Sequence, residues 1–231
     1  AAFEREAKQI LQEVEDECGW MYETWHPHCD DPNRVKGRIN YTVWSDVFVC
    51  PVCGAELTFW HAAVDKEVGA VRDIFPCPSC GAEQGKRGLE RAWETVFDRT
   101  LGQPVHRAKQ VPVLISYNAG KKRNTKIPDT ADLQLVQSIE ETDIPHWFPT
   151  NPLPDGYNTR QPKESHGITH VHQFYTRRNL VTFSALWSAA SDSVFPAVLL
   201  GGLSVGLKMA RFRVALWVNK TSGPMKGLTP G

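Results

Sequence analysis

The chain has no excess of either charge: 26 Lys and Arg stand against 26 Asp and Glu. Without net charge there is no global field to draw it onto nucleic acid or an anionic membrane, so such contacts must come from local patches. Long apolar runs are also missing. The longest uncharged apolar stretch, Ser193 to Leu207, is shorter than the roughly 20 residues of a membrane span. Pro196, Gly201, Gly202 and Gly206 interrupt it. It reads as buried core, and no membrane partner is expected. Cysteine is scarce: there are six, four of them in two close pairs, with Cys18 and Cys29 apart. That usage fits one metal site in a reducing cytosol better than a secreted disulfide scaffold, so a cytoplasmic location is expected. The first 17 residues alternate charged and apolar side chains rather than forming a leader. The chain starts without Met inside a helical pattern and stops straight after an apolar stretch, which reads as a piece of a longer protein. A catalytic constellation is lacking too. The eight histidines are scattered, and no Ser/His/Asp or Cys/His set can be assembled.

What is present centres on two cysteine pairs, Cys50-Pro51-Val52-Cys53-Gly54 and Cys77-Pro78-Ser79-Cys80-Gly81. Thiolates two residues apart on a tight turn aim both sulfurs at one point. Two such turns complete the tetrahedron that structural Zn²⁺ prefers. The glycine after each pair permits the positive φ that turns backbone N–H groups towards sulfur. The repeated Cys-x-x-Cys spacing therefore predicts a zinc ribbon with Cys50, Cys53, Cys77 and Cys80 as ligands. Two disulfides or four free thiols are the alternatives. In a ribbon the zinc is structural, replacing a core that the short flanking strands are too small to form.

The expected fold class is α+β: a small zinc-ribbon β-sheet module combined with several helices. Three consecutive regions are expected, an N-terminal helix and loop over 1–38, the ribbon with an extended β-hairpin over 39–128, and a helical region over 129–231. Phe3, Ala7, Ile10, Val14 and Cys18 form a helical stripe. The stretch 20–38, with Pro27, Pro32 and Gly37, reads as loop. Strands are expected over 41–49, 57–60, 68–75, 93–97 and 110–117. A turn at Asn118-Ala119-Gly120 then leads to a polar edge strand over 121–127. Asp129 or Thr130 caps a helix to about Glu141, with Leu133, Val136 and Ile139 buried. Five prolines make 143–165 an extended linker or loop. Thr176 caps a helix from Arg177 to about Ser191, with Leu180, Phe183, Ala185 and Trp187 among its apolar residues. A further helix over 194–209 and a strand over 211–217 complete the expectation.

Several groups are candidates for chemistry. Trp25-His26-Pro27-His28-Cys29 offers His26, His28 and Cys29 to a second metal, or is a polar loop. Lys121, Lys122, Arg123 and Lys126 on the return strand, and Lys86 and Arg87 after the second knuckle, are placed to meet DNA phosphates; a solvated face is the alternative. Arg177 and Arg178 open a helix, where a cation opposes the macrodipole, which points to an anionic partner, a DNA phosphate or a carboxylate elsewhere. Asn151-Pro152-Leu153-Pro154 lacks the second proline and the aromatic of an amino-methyltransferase box and reads as a loop. The glycines at 201, 202 and 206 follow no strand and have no acidic partner downstream, so helix packing explains them better than cofactor binding.

The order of motifs resembles the zinc-ribbon-containing, adenine-specific DNA methylases of bacteria and archaea. The features that carry the resemblance are the strand from Trp44 to Val49 feeding the two knuckles, then Arg91-Ala92-Trp93-Glu94-Thr95-Val96-Phe97-Asp98 and Val111-Pro112-Val113-Leu114-Ile115. They continue with His166-Gly167-Ile168-Thr169 and Gln173-Phe174-Tyr175-Thr176-Arg177-Arg178-Asn179-Leu180. Asn179 and Tyr175 stand where the family usually has Gln and Phe. The resemblance covers most of residues 20–190, and the stretch from Gly167-Ile168-Thr169 to Leu180 is the more specific part. It implies a parent enzyme that moves a methyl group from S-adenosylmethionine to a base amine of a flipped nucleotide, in a Rossmann-like catalytic domain. Neither the Asp-Pro-Pro-Tyr box nor the Phe-x-Gly-x-Gly loop is in this chain. The resemblance thus implies an inactive zinc-ribbon insertion whose partners are DNA and the remaining halves of the catalytic domain. The competing expectation is a scaffold or protein-interaction module that never touches DNA.

Overall fold

The structure, a computed structural model, describes residues 2–191. The chain begins with α1 (Ala2–Cys18), β1 (Glu23–His26) and the long β2 (Val35–Val49). Short elements follow: β3 (Glu56–Thr58), α2 (Phe59–Ala63), β4 (Val64–Asp65), β5 (Ala70–Val71), β6 (Ile74–Pro76), β7 (Glu83–Gly85) and β8 (Glu90–Arg91). Then come β9 (Trp93–Asp98), β10 (Gln103–Ala108), β11 (Gln110–Ala119), β12 (Lys122–Lys126), α3 (Thr130–Glu141), α4 (Tyr157–His166) and α5 (Arg177–Ala190). Helices and antiparallel strand pairs share the chain, so the α+β class holds. The helix expected over 194–209 and the strand over 211–217 lie outside the described residues.

The three consecutive regions expected from sequence regroup into two compact units. Of the described residues, one unit takes 2–42, 114–152 and 170–191, and the other takes 43–113 and 153–169. β2 and β11 contribute to both.

In the first unit, α1, α3 and α5 close an apolar core of Val14, Cys18, Met21, Ile139, Val181 and Ala185. The stripe on α1 is buried from Ile10 onward, but Phe3, in the first turn, is 55% exposed. α3 opens on a capping box: Asp129 accepts from the Asp132 N–H and Asp132 from the Asp129 N–H. Leu133, expected in the buried stripe, is exposed. The buried place in that turn goes to Asp132, which is tied to Thr24 and Lys126. Thr176 caps α5 by accepting from the Asn179 N–H.

Part of the stretch expected as loop is sheet. Glu23 to His26 pair with Arg38 to Val35, because the turn residues Pro27 and Pro32 mark only the connection between the strands. Trp25 anchors that pairing, with the Arg34 and Lys36 cations each 4.5 Å from its ring centroid. β12 ends the strand order β1-β2-β11-β12, as an edge strand should.

In the second unit the surprise is α4, which occupies the end of the proline-rich stretch. Four prolines precede it, and only Pro162 lies inside. Gly167 closes α4 with a left-handed φ of +71°. A Cβ there would stand 2.1 Å from the His106 carbonyl oxygen, so both conformation and space require glycine. Around the knuckles a core cluster gathers Phe48, Cys50, Leu57, Ala62, Ala63, Phe75 and Cys77. The Phe59 ring packs edge-on to both Phe48 and Phe75, 5.7 and 5.8 Å away.

Candidate metal centre

Each cysteine pair sits at the bend of a hairpin, and the two hairpins have one register. In the first, Val47, Phe48 and Val49 face Thr58, Leu57 and Glu56. In the second, Ile74, Phe75 and Pro76 face Gly85, Gln84 and Glu83. The bends match bond for bond. Cys50 N–H donates to the Ala55 carbonyl and Gly54 N–H to that of Cys50; Cys77, Ala82 and Gly81 repeat the arrangement. Gly54 and Gly81 take φ of +72° and +74°, the conformation expected of them. The repeat thus extends beyond the Cys-x-x-Cys core to the strands on both sides.

Side by side, the hairpins bring four sulfurs within 4.8 Å of one another. Cys50 and Cys80 are 3.9 Å apart, as are Cys53 and Cys77, each contact running from one hairpin to the other. A tetrahedron with zinc–sulfur bonds of about 2.3 Å has edges of roughly 3.8 Å. The spacing is nearly twice a disulfide bond length of about 2.05 Å, and all four thiols are free. The donor set can therefore hold a metal ion and is compatible with structural Zn²⁺. Cys50 and Cys77 are buried, while Cys53 and Cys80 face solvent. Backbone N–H groups of Cys80 and Ser79 hold the Cys77 thiol down to about 6. For Cys53 the Ala55 backbone acts in the same direction, but the neighbouring thiols and burial outweigh it and push the group up to about 12. Four sulfurs gathered this closely cannot all ionise unaided, and a divalent cation removes that conflict.

The sequence also offered His26, His28 and Cys29 either to a second metal or to a polar loop. Among the described residues the four cysteines are the one such cluster. His26 Nδ1 instead meets the Tyr117 hydroxyl at 2.6 Å, His28 Nδ1 lies 3.7 Å from Asp129, and the Cys29 N–H donates to Asp129.

The basic residues divide. Lys121, Lys122 and Arg123 are exposed beside the turn at Gly120, which has φ +58°. Arg123 rests over the Tyr41 ring and donates to Ser116 Oγ. Lys86 and Arg87 are exposed, with Lys86 4.7 Å from the Phe59 ring centroid. Lys126 does not belong with them. Its ammonium is buried against Asp129 at 2.7 Å, Asp132 at 2.8 Å and the Trp25 carbonyl at 2.9 Å, so its charge is used inside the fold. Arg177 and Arg178 are half-buried. Arg177 donates through Nε and Nη2 to the Thr142 carbonyl at the C-cap of α3. Arg177 thereby meets the negative end of another helix. Arg178 lies over the Tyr22 ring and donates to Thr42 Oγ1.

One residue at the centre escaped the sequence reading. Gln84 is buried, and its Nε2 lies 3.6 Å from Cys50 Sγ. Setting the two knuckles in register exposes it, because Leu57 holds the same place in the first hairpin. Compared with protein-family models, with curated proteins and with solved structures, the chain matches none.

Proposed function

We propose that the chain is the zinc-ribbon region of a DNA adenine methyltransferase of the kind it resembles, a non-catalytic part held by Zn²⁺ that meets the DNA backbone. The observation that carries the reading is the four-sulfur cluster on two hairpins of one register. The strict need for glycine at Gly167, within the more specific part of the resemblance, supports it. Lys121, Lys122 and Arg123 at the β11–β12 turn supply the phosphate contacts, and Lys86 and Arg87 offer a second exposed pair. S-adenosylmethionine and the base-modifying residues belong to the remaining halves of a Rossmann-like catalytic domain.

A second reading, the scaffold that docks those halves without touching DNA, is favoured by the balanced charge and by the internal use of Lys126, Arg177 and Arg178. Fluorescence anisotropy of the zinc-loaded chain with a labelled duplex separates the two. Three phosphate contacts weaken binding roughly forty-fold between about 50 and about 200 mM salt. The expected result is a dependence of that order, reduced by reversing Lys122 and Arg123 to Glu. Absence of binding at the lower salt would leave the scaffold.

A further inference from the structure

The two hairpins match through Phe48 and Phe75, both cysteines, the glycine and the following alanine and glutamate. They part at the next position. Leu57 faces Phe48, while Gln84 faces Phe75. Both side chains are buried, at 3% and 6% exposure. An amide in the place of a leucine costs stability unless its polar atoms find partners. Gln84 Nε2 finds two: Cys50 Sγ at 3.6 Å and the Ala82 carbonyl oxygen at 3.4 Å. A thiolate and a carbonyl both accept, so the amino end of the amide faces them.

Cys50 has more need of that donor than the exposed ligands. It is 0% exposed, so water does not reach its sulfur, whereas Cys53 and Cys80 face solvent. Four thiolates around a divalent ion leave a net negative charge, and in a buried setting hydrogen-bond donors are what offset it.

We infer that Gln84 is a positioning residue of the metal centre: its amide donates to the Cys50 thiolate, orients that sulfur towards the ion and takes up part of the centre's negative charge. The repeat breaks its symmetry where a side chain of one hairpin supports a ligand of the other. Two otherwise like knuckles thereby give unlike inner sulfurs, one against an amide and one without a side-chain donor from its mirror position.

This inference rests on the metal reading, so the wild-type chain is titrated first with Co²⁺ and with Zn²⁺. Failure to give a tetrahedral four-thiolate Co²⁺ spectrum would sink the metal reading itself. With that spectrum in hand, two variants test Gln84. Gln84→Met keeps the length and removes the donor; Gln84→Leu copies the first hairpin. Each is expected to lower Zn²⁺ affinity about tenfold in competition with a chelator. Each should also move the sulfur-to-Co²⁺ charge-transfer band to longer wavelength, because a thiolate without its hydrogen bond gives up an electron more readily. If the leucine variant does not fold by circular dichroism, the methionine variant decides. Wild-type affinity and an unmoved band in Gln84→Met overturn the role. Weakened binding with an unmoved band overturns it as well, since packing alone would then explain the loss.

Discussion

In the unit built on α1, α3 and α5, three helices meet through Val14, Cys18, Met21, Ile139, Val181 and Ala185, with Tyr22, Leu135, Ile144 and Leu186 packed around them. Each large apolar side chain buried there contributes about 1.5–3 kcal/mol. In the knuckle unit the main cluster holds seven buried residues, and two of them are the cysteines Cys50 and Cys77. Its paired strands are short, three residues each in β3, β6 and β7. The first unit can be held by burial. Hairpins this short have too little of their own to bury, and four sulfurs sharing an ion would supply the missing constraint. The polar groups follow the same division. The first unit encloses a completed ion network around Lys126, and the second presents two of its four thiols to solvent.

The largest test of that contrast removes the metal. Cys53→Ser or Cys80→Ser is expected to abolish stoichiometric zinc and unfold both hairpins, a loss of about 10 kcal/mol of binding energy or more. α1, α3 and α5 should keep their hydrogen-exchange protection in the same sample. Full zinc content by elemental analysis would show the ligand assignment to be wrong. Next in size is Lys126→Met, which leaves buried Asp132 and half-buried Asp129 without their cation. It should cost about 3–5 kcal/mol in urea unfolding of the helical unit, with no change in chelator sensitivity of the hairpins. Coupled loss in both units would erase the distinction between them. Gly167→Ala comes third. The left-handed φ and a Cβ 2.1 Å from the His106 carbonyl together predict a loss of about 3 kcal/mol. That loss should register in the knuckle unit's protection rather than in the core of α1, α3 and α5.

The smallest effect is on acidification. Burial alone would raise the pKa of Asp129, but the Lys126 ammonium and the Asp132 N–H outweigh it and hold the group at about 2. A carboxyl held below its unfolded value adds stability above about pH 4, and that share is lost as pH falls through about 2. The helical unit of chelated protein should therefore lose about 2 kcal/mol across this window, and Lys126→Met should flatten the profile. An equally steep profile in the variant would remove Lys126 as the cause.

Much of the candidate centre was legible because it is local. Cys-Pro-x-Cys-Gly closes its own turn, and two copies in sequence are enough to name the four ligands. The caps at Asp129 and Thr176 were legible for the same reason, since each acts on an amide three residues away. β1 and α4 were not. The prolines around them are strong turn signals, and only pairing with β2 and the close of α4 against the β10 backbone at Gly167 show where regular structure resumes. Gln84 was hidden differently. A glutamine near a knuckle is an ordinary exposed residue until the second hairpin's register turns it inward.

The sequence by itself determined the candidate metal ligands, the α+β content and the starts of α3 and α5, because these rest on spacing and on contacts a few residues long. Only the tertiary structure decided which cations face water. Lys126 and Lys122 sit on one short strand with like chemistry, yet one reaches a carbonyl 101 residues away and the other reaches solvent. Burial is a property of what packs from elsewhere in the chain. No local pattern around Lys126 records that Trp25 and the start of α3 enclose it.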